Sequence, residues 1–349
     1  MRFYTSQHQH TCGIDLHART MYVCILSQDG TTLVEKNIPA CPAPFLKLIA
    51  PYREDLVVGV ECIFTWYWMA DLCEEEGIPF LLGHALYRKA IHGGKAKNDR
   101  IDANKIAALL RGGMFPMAYV YPREMRSTRD LLRRRLHLVR LRGRLLAHIQ
   151  NLNHQSNFNA FPKKLQYKAN RKDVLERFKD PSLRKNVELD LSLIDLYDEL
   201  IRKLEYCLVR QAKIHDADMF HRLRSIRGVG KILAMTILYE VHDIDRFPSV
   251  QQFASYCRLV KCARESAGKK KGTGGSKIGN VHLKWAFSEA AVLFLARNPR
   301  GQKYLAKLTQ KHGKGKALSI LAHKLGRAAY IVMSRRTNFD EKKFFAAIS

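Results

Sequence analysis

Four carboxylates at the ends of apolar segments are the residues of this chain best suited to chemistry. Asp15 stands between Ile14 and Leu16 in the run TCGIDLH, and Glu61 closes the run LVVGVE. Asp99 and Asp102 open the amphipathic stretch DRIDANKIAALLR, and their spacing of three puts both on one helix face. An acid at the inner end of a buried strand is costly unless it is paired or bound to a cation. Oxygen-rich sets suit Mg2+, and two such ions stabilise the pentavalent phosphate of phosphodiester transfer. Each acid also has a plainer reading. Asp99 and Asp102 can complement a helix N-terminal dipole, and Glu61 can end a strand at solvent. Taken together, in an α/β context and a strongly basic chain, the four favour a metal site.

Three further clusters carry nucleophiles or charge. The stretch Arg264-Glu265-Ser266-Ala267-Gly268-Lys269-Lys270-Lys271 puts a serine beside several cations on a glycine-bearing segment. Such a serine can attack phosphorus if a base or metal activates it and cations balance the developing charge. The same composition suits a solvated phosphate-contact loop, and Ser276 in GGSKIGN, next to Lys277, is no worse a candidate on these grounds. Gly228-Val229-Gly230, followed by Lys231, separates two helical patterns. Its backbone N–H groups can hold a phosphate, as in a helix-hairpin-helix module, or the glycines can serve as a tight packing turn. Finally, arginines crowd the stretch from Arg126 to Arg144, among them Arg133, Arg134 and Arg140, with few acids between them. Arginine pairs with phosphate through two parallel bonds, so nucleic-acid backbone contact is the better reading of that tract.

The composition agrees. The 349 residues carry 60 Lys+Arg against 32 Asp+Glu, a net charge of +28. That excess favours a polyanionic partner, because bound phosphates release counterions. It disfavours a small-molecule housekeeping enzyme and leaves an anionic membrane surface compatible. No run approaches the roughly 18 apolar residues of a membrane span, and the opening MRFYTSQHQHTCG has no apolar segment of a signal peptide. The 8 cysteines form no CxxC pair and no zinc-type cluster, so they read as reduced thiols of a cytoplasmic protein.

The elements that must position these residues fall into three parts. Over 1–122, strand runs alternate with helical patterns: a hairpin or meander through residue 38, a helix over 45–52, strands at 56–61 and 78–83, a helix from Trp66 to Glu76 capped by Gly77, and another from Asp99. That alternation predicts a layered α/β domain. Over 123–217, Leu131, Leu138, Leu145 and Leu152 recur every seven residues, and Leu193, Leu196, Leu200, Leu204 and Leu208 keep helical spacing. Two long helices with a basic tip at 161–173 predict an antiparallel coiled-coil arm whose seam partner chains share. Over 218–349 the pattern is mainly α-helical, interrupted by the low-complexity basic stretch 263–280, which reads as a flexible loop.

GIDLH, VECIFTWYW and KNDRIDANKIAALL resemble the RNase H-like, RuvC-like half of DEDD-type insertion-sequence transposases of the "IS one-ten" family. SIRGVGKILAMTILYEV, RESAGKKKG, SKIGN and HLKWAFSEAA resemble its second half, in the same order. The resemblance implies a recombinase that excises and inserts its own element, guided by a structured noncoding bridge RNA that pairs with donor and target DNA. It implies that Asp15, Glu61, Asp99 and Asp102 hold Mg2+, with Mn2+ able to substitute, and that Ser266 forms a phosphoserine link to DNA. It further implies a composite site shared between protomers of a dimer or tetramer at the prokaryotic nucleoid. Arg264, Lys269, Lys270 and Lys271 are the expected phosphate stabilisers. Two rivals differ in chemistry: a junction-resolving nuclease in which the acids activate water, and a nucleic-acid-binding scaffold with no active centre.

Overall fold

The alternating runs of the first 123 residues build a five-stranded sheet with helices on both faces. The computed structural model describes residues 2–84, 98–274 and 278–346. They divide into two compact units, Met1–Arg123 and Glu124–Ser349. In the first, a short strand β1 (Phe3–Tyr4) precedes β2 (His10–Leu16), β3 (Thr20–Ser27) and β4 (Thr32–Pro39), which pair antiparallel as a meander. Helix α1 (Pro42–Ile49), β5 (Leu56–Glu61), α2 (Trp66–Glu75), β6 (Phe80–Gly83), α3 (Asp99–Arg111) and β7 (Phe115–Pro116) follow. The sheet order is β4-β3-β2-β5-β6, with β2, β5 and β6 parallel. β2 and β5 are therefore neighbours at the centre, although 39 residues separate Leu16 from Leu56, where β5 begins.

Strand alternation divides the two faces. Cys12, Ile14, Leu16, Val58 and Val60 pack with Phe45, Ile49, Trp66 and Met69 on the face that α1 and α2 cover. The opposite face meets α3, whose Ala103 and Ala107 pack on Cys24 and Leu26. Burial along α3 takes in Ala103, Ile106, Ala107, Leu109 and Leu110, and also Asp102.

In the second unit, α4 (Arg123–Gln155) and α5 (Pro181–Ser225) run antiparallel. The ion pairs Arg135–Glu205, Arg142–Asp198 and His148–Asp190 set the register, each step along α4 matched by a step back along α5. The basic tip between them folds around Arg171, which is buried. Arg171 donates to the carbonyls of Leu165 and Gln166 and to the carboxylates of Asp195 and Asp198. Helix α5 is broken at Asp216 (φ −156°, ψ 83°), whose carboxylate then caps the resumed helix at the Met219 N–H. The remaining helices are α6 (Lys231–Val241), α7 (Val250–Tyr256), α8 (Val281–Phe294), α9 (Pro299–His312), α10 (Lys314–Arg335) and α11 (Glu341–Ala346). α6 is the centre of this core, buried from Leu233 through Val241.

Two expectations need correction. The stretch after Lys261 is not an irregular loop: β8 (Cys262–Ser266) and β9 (Lys269–Gly274) form a hairpin. Alternate positions of a Lys/Gly-rich segment can pair when a tight turn fixes the register, and composition alone hides that. The α4 leucines are also not a free seam. Leu138 and Leu152 are buried, and Leu152 packs with Val187 and Ile194 of α5.

Candidate active site

Gly13 and Gly59 face each other across the β2–β5 pairing, and both lie under α3. A Cβ on Gly13 would stand 2.2 Å from the Ala103 carbonyl oxygen and 2.4 Å from the Ala107 nitrogen. A Cβ on Gly59 would stand 2.7 Å from Leu110 Cδ1. The absent side chains let the helix backbone settle directly on the sheet. Two residues further along each strand, on the same face, come Asp15 and Glu61. The last paired residues are Ile14 and Val60, so the two acids leave adjacent parallel strands side by side. The N-terminal turn of α3 brings Asp99 and Asp102 to that end of the sheet.

The start of α3 is fixed by its cap. Asn98 accepts a 2.8 Å hydrogen bond from the Ile101 N–H, and the pair Arg100–Glu35 at 2.6 Å ties the first turn to β4. Among the described residues, one cluster has ligand atoms all within 4.8 Å of one another: Asp15, His17 and Asp99. The Asp15 side chain is 14% exposed, whereas those of His17 and Asp99 are about half exposed, so the cluster opens to solvent on one side. Asp102 is buried one turn along, and Glu61 is half-buried at the end of β5; neither belongs to that tight cluster. His17 was not singled out in the sequence. The available signal was its spacing of two from Asp15, which puts both on one side as the strand ends.

Residues 12–155 match the model of IS110-type DEDD transposases, and residues 220–306 match that of the IS116/IS110/IS902 transposase family. The chain belongs to the IS110 family of transposases. The transposase for insertion sequence element IS1111A of Coxiella burnetii is 23% identical over 94% of this chain and 90% of its own. The transposase for IS1328 of Yersinia enterocolitica is 26% identical over 94% and 98%. A probable family 20 transposase of Pseudomonas aeruginosa is 26% identical over 81% and 85%. As an IS110-family transposase the protein is a DNA recombinase, and its first unit has the RNase H-like fold of a DEDD domain. Such domains use a divalent metal, and the donor set fits one: hard carboxylate oxygens with a single nitrogen, open to solvent on one side.

The second family match spans the Gly-Val-Gly turn and the serine stretch. Ser266 ends β8 opposite Lys269, and both are exposed. The turn between them has positive φ at both positions, 51° at Ala267 and 72° at Gly268, the two-residue hairpin geometry that holds Ser266 at its edge. Arg264 lies in β8, Lys270 and Lys271 lie in β9, and Lys277 and Ser276 fall outside the described residues. Gly228 has φ +85°, and a Cβ there would meet Ala290 O and Phe294 N of α8 at 2.6 Å, so packing alone requires glycine. Gly230 has open space around it at the start of α6, and Lys231 is exposed. Of the arginine tract, Arg134, Arg140 and Arg144 are exposed. Arg129, Arg133, Arg135 and Arg142 instead pair with Glu240, Glu205 and Asp198 inside the unit.

Glu240, which the sequence reading missed, is a heavily engaged acid of the second unit. Its side chain is 2% exposed and accepts from Arg129, from both Nε and Nη2 of Arg133, and from the Asn280 carboxamide at 2.8 Å. Burial pushes its carboxyl upward, but Arg133, Arg129 and Asn280 outweigh that and draw it from 4.5 down to about 2. Asn280 also caps α8, accepting from the N–H groups of His282 and Leu283. One carboxylate thus joins the base of the arm to the segment that leaves the serine hairpin.

Proposed function

We propose that this transposase is an RNA-guided recombinase that cuts and rejoins donor and target DNA through a covalent phosphoserine at Ser266. The observation that carries the reading is the approach of Asp15 and Asp99 at the end of a glycine-lined helix–sheet contact, with Glu61 and Asp102 beside it. In this reading Asp15, Glu61, Asp99 and Asp102 hold Mg2+, which supplies Lewis-acid stabilisation of the scissile phosphate when bound. The Ser266 oxygen forms a bond to phosphorus as the P–O bond to the DNA leaving group breaks. The bond count is conserved, so rejoining needs no ATP. Lys269, with Arg264, Lys270, Lys271 and Lys277, offsets the charge that develops on phosphorus. Arg134, Arg140, Gly230 and Lys231 contact backbone phosphates, and the guide RNA delegates sequence choice to base pairing.

The support for self-association is a row of exposed leucines on α5: Leu189, Leu193, Leu196 and Leu200, spaced as a coiled-coil seam. In this reading the arm over 123–217 joins two copies into dimers and tetramers, and the acidic and serine halves of one composite site come from different protomers. The protein then acts in the cytoplasm on the nucleoid; among the described residues, no helix is long and apolar enough to cross a membrane.

The test is an adduct trap. Protein, RNA transcribed from the DNA flanking its gene, Mg2+ and labelled DNA spanning the joined element ends are run on a denaturing gel. Label should migrate with wild-type protein and vanish in Ser266→Ala and Asp102→Asn. Nicked DNA without an adduct, lost in Asp102→Asn yet kept in Ser266→Ala, would establish the water-using nuclease instead. Recombination without added RNA would remove the guide from the reading.

A further inference from the structure

We propose that His17 is a nitrogen ligand of the carboxylate metal site and tilts its choice from Mg2+ toward a first-row transition dication such as Mn2+. The inference rests on the reading of Asp15 and Asp99 as metal ligands, and concerns a residue outside the four acidic positions.

The geometry is the first support. His17 Nε2 lies 3.3 Å from Asp15 Oδ2 and 3.5 Å from Asp99 Oδ1. Charge-assisted hydrogen bonds between such groups are shorter, about 2.7–2.9 Å. The spacing matches instead the edge between neighbouring ligands of one small cation. With bonds of about 2.1 Å that edge is about 3.0 Å in an octahedron and about 3.4 Å in a tetrahedron. The imidazole nitrogen thus stands where a third donor belongs.

The local fold is the second support. His17 follows β2, and its N–H donates to the Thr20 carbonyl at 3.0 Å, closing the turn into β3. That bond fixes the backbone two residues beyond Asp15, so both side chains leave on the same side toward the first turn of α3. The ring is about half exposed, so burial does not explain its position.

The chemistry follows from the donor types. A purely carboxylate set suits Mg2+, while imidazole adds binding energy chiefly for transition dications. A site with one nitrogen still accepts Mg2+ but should rank Mn2+ above it.

The experiment uses the full chain with Mn2+ as probe and Mg2+ as competitor, and reads binding rather than recombination. Mn2+ is titrated by electron paramagnetic resonance into wild type, His17→Ala, His17→Gln and Asp15→Asn. Pulsed measurements record nitrogen coupling to the bound ion. Wild type should show imidazole nitrogen coupling that both His17 variants lack. Mn2+ affinity in those variants should fall by about tenfold or more, with the Mn2+-over-Mg2+ ratio falling in step. Asp15→Asn should lose both ions. Nitrogen coupling absent from wild type, or an unchanged ratio in His17→Ala, overturns the inference while leaving the carboxylate site standing. Unchanged Mn2+ binding in Asp15→Asn overturns the carboxylate reading itself.

Discussion

Removing the Glu240 carboxylate should unlock the second unit. The side chain is almost fully buried, and two guanidinium groups and one carboxamide converge on it. Its displacement from 4.5 to about 2 corresponds to about 3 kcal/mol of preferential stabilisation of the charged form at neutral pH. Deleting one partner of a buried pair costs about 3–5 kcal/mol, because the other charges stay desolvated. Glu240→Ala removes the carboxylate that Arg129 and Arg133 share, so a loss within that range is expected. Glu240→Gln keeps an acceptor for Asn280 and should lose less. The pH dependence has a definite sign. A carboxyl whose folded value is depressed contributes fully above its ordinary value of 4.5, and the contribution disappears as pH falls toward about 2. Hydrogen exchange of the 231–241 segment at neutral pH reads the opening free energy, and thermal melts between pH 6 and 3 read the titration. A loss under about 1 kcal/mol in Glu240→Ala would refute the argument. So would an acid-induced loss in Glu240→Gln equal to that of wild type.

Three other outcomes are expected. Gly13→Ala forces a Cβ against the Ala103 carbonyl oxygen at 2.2 Å; overpacking of this kind costs about 1–3 kcal/mol. It should also lift α3 and weaken Mn2+ binding, read by melting and metal titration together. Ala267→Gly removes a side chain held at φ 51° and should firm the serine hairpin by about 1 kcal/mol, seen as slower proteolysis across 262–274. Leu193→Glu with Leu200→Glu changes two exposed leucines of α5, so each should alter folding stability by under about 0.5 kcal/mol. The same pair should shift the proposed dimer toward monomer in sedimentation.

Most of the acidic half was legible because its signals are local. Strand runs ending in acids, and a helix opening with two more, need only periodicity and the cost of a buried charge. Ser266 was singled out by resemblance and the Gly-Val-Gly turn by its two glycines, but the geometry of neither was legible: the hairpin depends on cross-strand pairing of Ser266 with Lys269, and Gly228 on the backbone of α8, 62 residues further on at Ala290. The arginine tract shows the limit most plainly. Its neighbours in sequence hold few acids, so every arginine there looks available to phosphate. The acids that engage four of them, Glu205, Asp198 and Glu240, come from α5 and α6.

What the sequence by itself determined was the chemistry on offer: a basic chain, four carboxylates at element ends, a serine among cations, and helices long enough for an arm. These follow from residue type and spacing over one or two turns. What only the tertiary structure decided was which groups meet. The pairing of Gly13 with Gly59 lets α3 lie on the sheet and brings Asp99 to Asp15 and His17, and the return of α5 along α4 turns one leucine row inward and leaves another exposed. The reason is physical: such contacts are set by packing between segments far apart in the chain, where backbone approach and charge pairing depend on three-dimensional neighbours that no local pattern encodes.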